Sequence, residues 1–197
     1  MKKIIYDTSV NGECPQFAFI AIHGWGGNKA SFKSIPSLFK MSECIWYFPE
    51  APYAVDGNEE KKSWAYKNSD GGWDVKLTSM LLKDFIDNVV LKKFKPENVF
   101  VIGFSQGAAV CYEFILSLEY SFGGVFPVAG FLRGNIPVTG FKEKDVFSVN
   151  VHPNQKNTPI LIGHGRDDDV VSPKSSMLAY DALKKNDCNV DLYIYNG

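Results

Sequence analysis

Gly103-Phe104-Ser105-Gln106-Gly107 is the stretch of this chain with the clearest chemical meaning. An apolar run, Val99-Phe100-Val101-Ile102, leads into it, and Ala108-Ala109-Val110-Cys111-Tyr112-Glu113-Phe114 follows. That order reads as a strand, an abrupt turn with a serine at its apex, and a helix. A G-x-S-x-G sequence so placed is a nucleophile elbow. Chain that reverses so sharply crowds the positions beside the apex, and only very small side chains fit there. The turn presents the Ser105 hydroxyl above the sheet. The N–H of Gln106 falls at a helix N-terminus, where it can donate to a developing oxyanion.

Two other predicted strand ends carry residues of the same chemistry. His23-Gly24-Trp25-Gly26-Gly27-Asn28 is a glycine-rich turn after an early strand. Such a turn supplies a second oxyanion donor, here the main-chain N–H of Trp25. His23 reads as a satisfied histidine bracing that turn rather than as a base. His164-Gly165-Arg166-Asp167-Asp168-Asp169 brings three consecutive carboxylates to a third strand end. One of them can orient and charge-balance a histidine base. Spacing leaves open which one, and a solvated acidic turn is the competing reading. His164 again reads as structural.

The elements that must position these residues alternate in type. Strands are expected at 17–22, 44–48, 99–104, 124–129, 159–163 and 190–195. Helices are expected at 30–39, 75–94, 105–120 and 174–185, with long connections at 50–74 and 130–157. Continuous apolar runs such as Phe17-Ala18-Phe19-Ile20-Ala21-Ile22 suit strands covered on both faces. The alternation predicts an α/β fold with a mostly parallel, doubly wound sheet and helices on both faces. Active sites on such sheets gather at the carboxyl ends of the strands, and all three motifs fall there. The 197 residues suffice for a single domain, with 45% hydrophobic and 22% charged residues.

A net charge of −1 gives no electrostatic case for nucleic acid or an anionic membrane. Met1-Lys2-Lys3-Ile4-Ile5-Tyr6-Asp7 has no apolar core of a signal peptide, and no span is long enough for stable membrane insertion. A cytoplasmic location is the expectation. Cys14, Cys44, Cys111 and Cys188 are widely spaced, so no metal site, disulfide or cofactor is expected, and Cys111 reads as core packing.

Taken together, the motifs resemble the phospholipase/carboxylesterase family of α/β-hydrolases, which includes bacterial carboxylesterases and acyl-protein thioesterases. The shared marks are Ile22-His23-Gly24-Trp25-Gly26, Phe48-Pro49-Glu50-Ala51-Pro52, Gly103-Phe104-Ser105-Gln106-Gly107-Ala108, and His164-Gly165-x-x-Asp168 with Val170-Val171. They occur in family order and span nearly the whole chain. The resemblance implies Ser105 as nucleophile, Asp168 as the triad acid over Asp167 and Asp169, and Trp25 and Gln106 as oxyanion donors. It implies hydrolysis of carboxylic esters or thioesters through an acyl-serine.

The chain departs from that pattern at the base. The family order is serine, acid, histidine, yet His23, His152 and His164 all precede Asp168. The expected histidine follows a Tyr-x-Gly stretch, which here is Tyr195-Asn196-Gly197. The expectation is a single domain over 1–197 truncated at its C-terminus, lacking the helix that would cover the last strand. Between Ala51 and Asp74 lie Tyr53, Trp64, Tyr66 and Trp73. Trp64, Tyr66 and Trp73 are expected to wall an acyl pocket, with packing of the loop onto the core as the competing reading. No long apolar lid is evident, which favours short-to-medium acyl esters or thioesters. A non-catalytic small-molecule or acyl-binding protein on the same fold is the alternative.

Overall fold

The apolar strand at residues 17–22 lies near the middle of a seven-stranded sheet, as its double-sided burial requires. In a computed structural model, residues 2–39, 41–69, 73–132 and 149–197 are described. The strands are β1 (Tyr6–Asn11), β2 (Phe17–Ile22), β3 (Cys44–Pro49), β4 (Tyr53–Val55), β5 (Asn58–Ser63), β6 (Tyr66–Lys67), β7 (Trp73–Asp74), β8 (Val99–Phe104), β9 (Gly124–Val128), β10 (Ile160–Gly165) and β11 (Val190–Tyr195). Among the described residues three α-helices accompany them: α1 (Lys76–Phe85), α2 (Gln106–Glu113) and α3 (Pro173–Lys185). The main sheet runs β1-β3-β2-β8-β9-β10-β11. β1 is antiparallel to β3 and every other pair is parallel. The two hairpins, β4–β5 and β6–β7, stand apart from it.

Period-two alternation divides the core. Ala18, Ile20 and Ile22 face one cluster, where Leu81, Leu82 and Phe85 of α1, Val110 and Cys111 of α2, and Ala179 and Leu183 of α3 pack. Phe19 and Ala21 face the other, with Trp46, Phe48, Phe32 and Ile35. The cover on that second face is a turn segment ending in a 3-10 helix, Ile35–Leu38, rather than the regular helix expected at 30–39. Pro36 lies in its first turn and suits that tighter geometry. At the far end of the same face, Leu161, Tyr193 and Tyr195 are exposed.

Other expectations shift in detail. The 75–94 helix is shorter: α1 passes at Ile86–Val90 into a π-turn. The elbow helix ends at Glu113, followed by a 3-10 turn at Ile115–Ser117. The connection at 50–74 is not structureless, because it holds both hairpins. β1 was not anticipated, since Tyr-Asp-Thr-Ser-Val-Asn lacks a clear apolar face. Of the irregular stretch at 130–157, residues 133–148 lie outside the described residues.

Candidate active site

The elbow is built by steric necessity. A Cβ on Gly103 would fall 2.7 Å from Cys111 Sγ and closer still to the Gly107 carbonyl. One on Gly107 would collide with the main-chain carbonyl of Ile22 at the end of β2. Without side chains at either position, α2 starts against the ends of β2 and β8. Ser105 is held between them with φ 52° and ψ −111°, a conformation L-residues rarely adopt. Its N–H donates to Val128 O at 2.9 Å, and its carbonyl accepts from Ala108 and Ala109 N–H at 3.0 and 3.1 Å. The Ser105 hydroxyl has no hydrogen-bond partner among the described residues.

The His23–Asn28 turn lies directly beside the serine. A Cβ on Gly24 would meet Ser105 Cβ at 3.4 Å and the Phe104 ring at 3.2 Å. Neither the Trp25 N–H nor the Gln106 N–H has a hydrogen-bond partner among the described residues. Two main-chain donors that are vacant among the described residues therefore lie on the two elements that meet at the serine. The Trp25 side chain itself is 60% exposed.

His23 braces this turn, as its sequence context suggested. It is buried; its Nδ1–H donates to Gly24 O at 2.7 Å, and its Nε2 accepts from the Ala51 N–H at 3.2 Å. Burial lowers its pKa from 6.5 to about 4, against smaller opposing contributions from the Gly24 carbonyl and Glu50. Because the folded pKa lies below the unfolded one, this histidine's contribution is fully present above pH 6.5. It is lost as pH falls toward 4, because the unfolded state takes the proton first. The displacement corresponds to about 3 kcal/mol. Urea denaturation should show stability falling already between pH 6.5 and 5, above the range in which ordinary carboxylates titrate. His23→Gln should flatten that slope, and an unchanged slope would remove His23 as its source.

Asp168 is the middle aspartate at the third strand end. Its Oδ1 accepts from the N–H groups of Val170 and Val171 at 2.9 and 2.8 Å, which closes the loop after β10. Its Oδ2 lies 3.4 Å from His164 Nε2. Asp167 and Asp169 are exposed, while Asp168 is half-buried. His164 is fully buried; its Nε2–H donates to Val171 O at 2.7 Å, and its Nδ1 pairs with Ser176 Oγ at 2.7 Å. The two loops connect through adjacent strands, since Ser105 N–H meets Val128 O and Ala129 N–H meets Gly163 O. Arg166 N–H bonds Tyr195 O and Asp167 N–H bonds Gly197 O, so the residues after β11 lie against the Asp168 loop.

None of the three histidines bonds Ser105 among the described residues. His23 and His164 have both ring nitrogens committed. His152 is half-buried; its Nδ1 accepts from Asn154 N–H and its main-chain N–H donates to Leu116 O, in the 3-10 turn that follows α2.

The three aromatic residues expected to wall an acyl pocket differ in exposure. Trp64 is 0% exposed, and this corrects its reading as a pocket surface. Its indole N–H donates to His23 O at 2.8 Å and its ring packs 4.9 Å from the His23 ring, so it supports the glycine turn from behind. Tyr66 and Trp73, 55% and 41% exposed, lie on the β6–β7 hairpin. Trp73, with Asn68 and Val75, lines a cleft of about 300 Å³. The Cys111 thiol is buried behind the elbow, where burial pushes its pKa up and leaves it inert.

Sequence reasoning missed the side chain of Gln106 and its partners. Gln106 Oε1 accepts from Trp64 N–H at 2.9 Å and its Nε2 donates to Ser63 Oγ at 2.9 Å. Nothing in a single sequence pairs Ser63 with a residue 43 positions away.

Among the described residues no helix is long and apolar enough to cross a membrane. Residues 10–197 match a family model described as Phospholipase/Carboxylesterase. The chain is 27% identical over 166 residues to Acyl-protein thioesterase 1 of Kluyveromyces lactis, covering 77% of this chain and 69% of that protein. It is 28% identical over 194 residues to Carboxylesterase SOBER1 of Arabidopsis thaliana, covering 89% and 79%. The crystal structure of esterase PE8 superposes with a TM-score of 0.78 at 18% identity, over all of this chain and 90% of that one, a likeness of fold.

Proposed function

The chain belongs to the phospholipase/carboxylesterase family of α/β-hydrolases, and from that premise we propose that it is a serine hydrolase of short-to-medium acyl esters or thioesters. The observation that carries this reading is Ser105 itself. It is strained at the apex of the elbow, and among the described residues its hydroxyl and the nearby Trp25 and Gln106 N–H groups have no hydrogen-bond partner. In the proposed cycle Ser105 Oγ attacks the acyl carbon while a histidine takes its proton. The N–H groups of Trp25 and Gln106 hold the oxyanion. The same histidine then protonates the leaving alcohol or thiol. Water attacks the acyl-serine and releases the acid. Asp168 Oδ2 steadies the imidazolium.

His23 and His164 have both ring nitrogens committed, so neither serves as this base. The Gly197 carbonyl meets the Asp168 loop and brings the residues after β11 beside the proposed acid. Tyr66 and Trp73 offer apolar surface for the acyl chain. One other reading, a non-catalytic acyl-binding protein, is favoured by the fact that none of the three histidines bonds Ser105 among the described residues.

The test uses the natural full-length protein with a fluorophosphonate probe and a series of p-nitrophenyl esters and acyl thioesters. Labelling at Ser105 and turnover greatest for short-to-medium chains are expected. Acyl binding without labelling or turnover would establish the binding protein instead.

A further inference from the structure

The two vacant donors belong to segments 81 positions apart in the sequence, and Coulombic stabilisation of an oxyanion depends on their separation. A single polar network joins those segments. From the elbow side, the buried Gln106 carboxamide bonds Trp64 N–H through Oε1 and Ser63 Oγ through Nε2, both at 2.9 Å. Ser63 Oγ lies 2.8 Å from Ala65 O, and the Thr78 hydroxyl donates to Trp64 O at 2.6 Å, anchoring this strand end to α1. From the glycine-turn side, Trp64 Nε1–H donates to His23 O at 2.8 Å. Just before it, Gly26 N–H donates to Lys62 O at 2.8 Å and Lys62 N–H donates to Gly27 O at 2.9 Å. Residues 62–65 thus hold the turn on both sides of Trp25 and hold Gln106 by its side chain.

We propose that the Gln106 carboxamide is a positioning residue: by bonding Ser63 and Trp64 it sets the separation of the Trp25 and Gln106 N–H donors. The inference rests on the serine-hydrolase reading and adds a task for the Gln106 side chain distinct from that of its main-chain N–H. Every polar atom of this side chain is directed at residues 63–64 rather than at solvent or Ser105. Ser63 and Trp64 are buried beside it, so no water can substitute for a lost partner without disturbing the packing. A donor displaced by a fraction of an ångström weakens its bond to the oxyanion more than it weakens ground-state binding.

The experiment compares wild type, Gln106→Met and Ser63→Ala in the natural full-length enzyme, with kinetics normalised to fluorophosphonate-titrated sites. Gln106→Met keeps side-chain length and the main-chain donor but loses both bonds. It should lower kcat by roughly 10–100-fold with KM little changed. Affinity for a trifluoromethyl ketone, which forms a tetrahedral oxyanion adduct, should fall in parallel. Ser63→Ala keeps the Trp64 bond and should give a smaller loss of the same kind, which serves if Gln106→Met does not fold. A merely structural role would lower Tm while leaving kcat per titrated site and ketone affinity at wild-type values, and that result overturns the proposal. Wild type inert to both probe and ester would overturn the hydrolase reading and this one with it. An active wild type with unaffected variants overturns this one alone.

Discussion

Ser105→Ala is expected to abolish fluorophosphonate labelling and to lower ester turnover on the order of 10⁶-fold, as loss of the nucleophile does in serine hydrolases of other folds. The expectation follows from geometry that leaves the hydroxyl no alternative task. Among the described residues it caps no helix N–H and bonds no neighbour. Its main chain meanwhile holds φ 52° by bonds to Val128, Ala108 and Ala109. Alanine preserves those bonds and the strain, so the fold should be unaffected. Ser105→Gly should be equally inactive yet more stable than the alanine variant by about 1 kcal/mol, since glycine adopts the strained conformation without a Cβ. Active-site titration, esterase assay and urea denaturation separate the two effects. Labelling that persists in Ser105→Ala would place the nucleophile elsewhere.

Asp168→Asn is expected to reduce kcat by roughly 10³–10⁴-fold. An asparagine can still accept the Val170 and Val171 N–H bonds through its carbonyl oxygen, so the loop after β10 should keep its form. The atom that changes is the one those bonds leave over. Oδ2, an acceptor, becomes an amide donor, which in the proposed cycle can neither hold the base in its productive tautomer nor balance its charge. Asp167→Asn and Asp169→Asn remove exposed carboxylates and should stay close to wild type. Stopped assays on the full-length enzyme, with Tm measured alongside, decide the matter. If Asp167 or Asp169 is the sensitive position, the acid has been assigned one residue out of register.

The parts of the site that could be read from the chain alone share a local cause. Gly103 and Gly107 are required by contacts with the next turn of chain and the neighbouring strand end, and the elbow pattern carries that requirement in five residues. The bracing role of His23 and the inert packing of Cys111 were legible because each sits in a short apolar or glycine-rich context that leaves little choice. Alternation of apolar runs with helical spacing was enough for the α/β sheet. It was not enough for β1, whose six residues are mostly polar and acquire strand structure by pairing with β3.

Trp64 marks where local information ends. Four aromatic residues in a long connection are compatible with a pocket wall or with core packing, and their sequence is the same in either case. The choice is made when residues 62–64 pair with the Gly26–Gly27 turn and with Gln106, contacts spanning more than 30 and 40 positions. That pairing turns the indole inward against His23 and leaves Tyr66 and Trp73 outward on the next hairpin. The amino-acid sequence therefore determined the serine at the apex, its glycine-built turn and the parallel sheet beneath it, because each depends on neighbours a few bonds away or on simple periodicity. Tertiary structure alone decided which oxygen of Asp168 closes its own loop, which aromatic rings face solvent and what ties the Trp25 and Gln106 segments together. Those depend on which distant main-chain groups meet to satisfy one another's hydrogen bonds away from water.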